Sequence, residues 1–126
     1  MTSPRAQLAT DLAAALSAWK IIGYGRAIDR VDQRTAMVYA REWTTTPATA
    51  RALAVDIDVW IFSEHQDPKL FTDDIEDALV ELVAALRPLT YVQFRGATFD
   101  IWGDQQLPGY RVTTTAVALI ELETTP

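Results

Sequence analysis

The chain has 126 residues, the length of one ordinary domain, and 49% of them are apolar and 10% aromatic, which excludes a disordered acidic tail. It contains no cysteine, so disulfide frameworks, zinc ribbons and thiolate nucleophiles are excluded. Seventeen acidic and eleven basic side chains leave a formal charge of −6, the wrong sign for a module that grips nucleic acid by its phosphates.

Taken in chain order, Ser3 followed by Pro4 reads as a helix start, a hydroxyl cap and then proline at the first helical position. Leu8, Leu12, Leu16 and Trp19 recur at helical spacing and predict a helix over residues 4–18. The stretch MTSPRAQLATDLAAAL is too polar for a signal peptide, and no apolar run approaches the roughly 18 residues of a membrane span, so no membrane partner is expected. Residues 20–22 (KII) suit a short strand before a turn at Gly23-Tyr24-Gly25. That turn lacks the third glycine and the Gly-Lys-Ser/Thr ending of a phosphate loop. Residues 26–34 (RAIDRVDQR) mix charges with isolated aliphatics and receive no assignment. A strand is predicted over residues 35–43 (TAMVYAREW) and a loop over residues 44–49 (TTTPAT).

A long strand follows over residues 51–63. Successive strand side chains face opposite ways. Leu53, Val55, Ile57, Val59 and Ile61 therefore form an aliphatic face, and Asp56, Asp58, Trp60 and Phe62 lie on the other. After a loop over residues 63–70, a helix is expected over residues 73–86. Asp73 and Glu76 would form its capping box, Ile75, Leu79, Leu82, Val83 and Leu86 its apolar face, and Pro88 its stop. Residues 91–102 and 110–122 read as two strands of a hairpin. In the second of them Arg111, Thr113, Thr115, Val117, Leu119 and Glu121 share a face. The whole reads as a single α+β domain over residues 1–126, a mostly antiparallel sheet with two helices packed on one face.

Candidate chemistry is thin. Asp56 and Asp58 lie inside a strand, not at the strand end or loop where an acid pair usually holds a metal. They are expected on a wet face. His65, the single histidine, sits in a polar loop with no G-x-S-x-G nucleophile elbow to serve. The acid run Asp73, Asp74, Glu76, Asp77 is explained by helix capping and solvation. No catalytic residue, metal ligand or cofactor is assigned. What stands out is apolar surplus on a face that should be wet: Trp60 and Phe62 beside two aspartates, and Val117 and Leu119 beside threonines. These four are the candidate oligomer interface, the alternative being that residues 20–34 or a loop fold over them.

The order of motifs resembles the tail terminator (minor tail) proteins of long-tailed bacteriophages. The likeness rests on the N-terminal helix with its following extended region, the central strand RALAVDIDVWIFS, the acid-started helix DDIEDALVELVAALRP and the closing segment LPGYRVTTTAVALIEL. The resemblance implies a structural protein without catalysis, a self-associating ring, usually a hexamer, at the head-proximal end of the tail tube. Its implied partners are the tail tube protein and a head-completion or neck protein, with DNA only as passing cargo. Its implied location is the virion tail, after assembly in the bacterial host cytoplasm. An acidic lumen, which Asp56 and Asp58 would face in place of open water, would suit DNA passage, since repulsion avoids trapping phosphates. Two alternatives stay open: a head–tail connector of the same particle, and a divalent-metal enzyme using Asp56 and Asp58.

Overall fold

A computed structural model describes residues 3–45 and 52–119. Seven elements follow in chain order: α1 (Pro4–Ala15), β1 (Lys20–Ile22), β2 (Thr35–Thr45), β3 (Ala52–Phe62), α2 (Pro68–Leu86), β4 (Val92–Trp102) and β5 (Leu107–Leu119). The strands form one sheet in the order β1-β2-β3-β5-β4. Only the β1–β2 pair is parallel. The fold is α+β, as expected, with a mixed sheet whose single parallel pair is its shortest.

Both helices begin on the same device. The Ser3 hydroxyl accepts from the Ala6 amide, and the Asp67 carboxylate accepts from the amides of Lys69 and Leu70, with proline next in each case. The Asp67-Pro68 start lies five residues ahead of the expected one. Asp73 is therefore not a cap but an interior residue, paired with Lys69 one turn earlier. Helix α1 closes at Ala15, and Leu16 and Trp19 continue the apolar stripe from a turn. Thr44 and Thr45, expected in a loop, extend β2, while the rest of that loop and residues 120–122 of the last strand lie outside the described residues. The β4–β5 connection is shorter than expected, because β5 starts at Leu107.

Two packed layers result. On one face Leu8, Leu12, Ile75, Ala78 and Leu82 of the helices meet Val55, Ile57, Val59 and Ile61 of β3 and Val112 and Ala116 of β5. On the other face a smaller cluster joins Trp60 and Phe62 to Met37, Ile22 and Ile28. Residues 23–34, which had no assignment, form the lid of this second cluster. Ile28 is buried and Val31 packs against it, so the isolated aliphatics face inward and the charges between them face water. The Trp102 indole N–H donates to the Arg26 carbonyl at 3.1 Å and ties the lid to β4. Trp60 stacks on Phe62 with ring centroids 6.0 Å apart and meets Trp102 at 5.1 Å. Gly109 is needed beneath them, since a Cβ there would lie 2.5 Å from the Ile61 carbonyl oxygen.

These contacts correct part of the expected interface. Trp60 is 3% exposed and Phe62 is fully buried, so the chain's own lid covers them and they are not free for a neighbour.

Arg34 closes the other end of the lid. Its guanidinium bonds Asp74 and Glu81 of α2 and lies over the Trp19 ring, 5.3 Å from the centroid. Burial alone would raise the Asp74 pKa. Hydrogen bonds from Ser63 and Arg34, with the Arg34 charge, outweigh that and hold it below the ordinary value. Asp74 thus does more than solvate a helix end.

Two outcomes are expected. Trp60→Ala removes the centre of the second cluster and lowers stability by about 3–5 kcal/mol in a urea titration. A depressed folded-state pKa contributes stability that is full above the unfolded value and lost as pH falls through the folded one. Asp74→Asn is therefore less stable than the parent at neutral pH, and the gap between their denaturation midpoints narrows below about pH 4.

Candidate functional site

Beyond the lid, the sheet face opposite the helices carries a polar network. Directly opposed residues of antiparallel strands share a face, and the register aligns Tyr39 with Asp58, Glu42 with Asp56, Asp58 with Thr113 and Asp56 with Thr115. A bulge between Ala40 and Glu42 inserts Arg41, which reaches across β3. Its Nε donates to Asp58 Oδ1 and its Nη2 to Asp56 Oδ2, both at 3.3 Å. Tyr39 Oη donates to Asp58 Oδ2 at 3.3 Å, and Thr115 Oγ1 to Asp56 Oδ1 at 3.2 Å. Arg95, inserted by a second bulge between Phe94 and Gly96, donates to the Thr115 hydroxyl. Burial, together with the Asp58 charge, raises the Tyr39 pKa and keeps its phenol a donor.

All four carboxylate oxygens of Asp56 and Asp58 thus accept a hydrogen bond from a neighbouring strand. A divalent cation would have to displace Arg41, Tyr39 or Thr115 to be bound. Among the described residues, no three His, Asp or Glu side chains stand close enough to hold a metal. Asp58 is fully buried, which corrects its expected place on a wet surface: Arg41 and Tyr39 lie over it. Asp56 is part-exposed and keeps a side toward water. Val117 is 49% exposed on the same face. Leu119 ends β5, and its side chain lies outside the described residues.

Two grooves border α2. The larger, about 810 Å³, opens between the lid and the start of α2, with Phe71, Phe99 and Leu107 in its wall and the exposed His65 in its lining. The smaller, about 440 Å³, runs between α2 and β4 and is walled by Leu79, Val80, Val83, Ala84, Arg87 and Phe94. Val80 is 70% exposed in it. Phe94, Phe99 and Ile101 of β4 and Trp43 of β2 also present large exposed apolar surface. These residues were absent from the sequence-based interface. Their exposure follows from strand order, which puts β4 at the rim of the sheet, and strand order leaves no mark in the hydrophobic pattern. Among the described residues no helix is long and apolar enough to cross a membrane.

No family model matches the chain, and no curated protein matches it at a significant level.

Arg41→Ala leaves Asp58 buried with Tyr39 as its remaining side-chain donor among the described residues. A loss of about 1–3 kcal/mol is expected in chemical denaturation. Tyr39→Phe, which removes one neutral donor and leaves the ion pair, costs less in the same titration.

Proposed function

We propose that this chain is a ring-forming structural protein of a long-tailed phage, a tail terminator. Copies of it, six in the reading taken here, sit on the head-proximal end of the tail tube. They stop its polymerisation and present a surface to the head-completion or neck protein.

The observation that carries the reading is the order of elements. The four segments that resemble the terminators are α1 with β1 and β2, then β3, then α2, then β5, and with β4 they make one two-helix, five-strand unit. Chain chemistry supports it in two further ways. Asp56 and Asp58, the strongest candidates for catalysis, are engaged in a cross-strand network that holds β2, β3 and β5 together. The formal charge of −6 suits a ring through which DNA passes, because like charge keeps phosphates from sticking to the wall.

The expected native mass, by native mass spectrometry at high protein concentration or on tube ends, is six times 14.0 kDa. Added to polymerising tail tubes, the protein should cap them and shorten their length distribution. Binding to DNA-filled heads with no effect on tubes would replace this reading with that of a head–tail connector. A divalent-cation-dependent activity abolished by Asp56→Asn with the fold intact would replace both.

A further inference from the structure

The sheet has two open sides. On one, β4 is a full-length edge strand, and among the described residues nothing pairs with its outer side. On the other, β1 covers only Thr35, Ala36 and Met37 of β2, and the described part of β2 beyond Met37 is likewise uncovered. Long open edges present rows of unpaired amide and carbonyl groups. We propose that the first half of β4 in one copy pairs with the uncovered half of β2 in the next copy, so that a head-to-tail series of these contacts closes the ring. This rests on the ring reading above and names the surfaces that would build it.

Three features select a second copy of this chain as the occupant. The first is strand direction. Following the ladders across the sheet, β2 and β5 run one way and β3 and β4 the other, so β4 meets a neighbour's β2 antiparallel and continues the alternation. The second is level. Trp43 is level with Val55, Val55 with Ala116, and Ala116 with Val92, while Val38 is level with Val59, Val112 and Ala97. Residues 38–43 and 92–97 thus stand at the same height on opposite sides of the sheet. With strands along the ring axis, rotation about that axis brings the two together without an offset. Below this level Thr98 is in line with Met37, where β1 begins to cover β2, so the pairing stops there.

The third is what the side chains on each face would meet. On the helix face, Trp43 projects from β2 and is 45% exposed. Beside β4 lies the apolar groove of Leu79, Val80, Val83 and Phe94, whose Phe94 is level with Ala40, two residue pairs from Trp43 and within the same paired stretch. Trp43 is the knob and the groove is the hole, and among the described residues neither has that partner within its own chain. On the opposite face, Glu42 is exposed on β2 and level with Gln93, and Arg95 is exposed two residues further along β4, so the contact brings opposite charges near each other. Knob and hole on different sides of one molecule make a heterologous contact, the kind that closes into a ring.

Complementary variants of the full chain test this. Trp43→Asp damages the knob and leaves the groove; Val80→Asp damages the groove and leaves the knob. In sedimentation velocity each variant alone should run as a monomer where the parent assembles. Mixed in equal amounts they should form a heterodimer of twice 14.0 kDa and go no further, because each copy then offers one sound surface. Either variant assembling like the parent, or a mixture that stays monomeric, overturns the pairing and leaves the ring reading standing. A parent that is monomeric at every concentration and on tube ends removes the ring reading itself. Circular dichroism checks that each variant folds. Should one fail, Glu42→Arg and Arg95→Glu serve instead: each weakens assembly by about tenfold or more, and the double variant restores it. Singles that assemble normally, or a double that does not recover, overturn the proposal.

Discussion

One half of the central strand is buried on both faces, and the rest of the structure is arranged around that fact. Val59 and Ile61 point into the helix layer while Trp60 and Phe62 point the opposite way into a second cluster. Two helices are enough to cover the first face. The second needs a cover of its own, and residues 23–34 supply it without regular structure, held by Ile28, Val31 and the Trp102–Arg26 hydrogen bond. A Trp and a Phe together bury several hundred Å² of apolar surface, so an irregular segment is worth ordering over them.

The same division of the strand explains the polar half. Where the lid stops, the sheet face is no longer apolar, and Asp56 and Asp58 replace Trp60 and Phe62 in the period-two pattern. A fully buried carboxylate must be paired and hydrogen-bonded. The bulge at Arg41 answers that need by bringing a guanidinium across β3 to both acids. The acid pair is in this sense a consequence of the aromatic pair. Covering Trp60 brings Tyr39 and Trp102 together over the sheet, and Tyr39 in turn partners Asp58.

With most of both sheet faces covered by the chain itself, most of what remains available is the rim. The exposed apolar residues concentrate there, on β4, on the flank of α2 beside it and at Trp43 of β2. Self-association was already the expectation from sequence, but through Trp60, Phe62, Val117 and Leu119. The structure moves the candidate surface from a face to two edges, and keeps Val117 as the one exposed member of the original four whose side chain is described.

Most elements were legible in the order of residues alone. Period two along LAVDIDVWIF identifies β3 and both of its faces, and the apolar stripes of α1 and α2 identify their buried sides, because each signal is local and repeats along one element. The start of α2 was legible too, in Asp67-Pro68, the same cap-then-proline signal as Ser3-Pro4, although the later Asp73–Glu76 spacing competes with it. What lies over Trp60, which donors fill the oxygens of Asp58, and which strands stand at the rim depend on pairs far apart in the chain. Trp102 and Arg26 are 76 residues apart, and Thr115 and Asp56 are 59 apart. Hydrophobic periodicity records that a side chain needs cover, and only the folded chain decides whether the cover comes from within it.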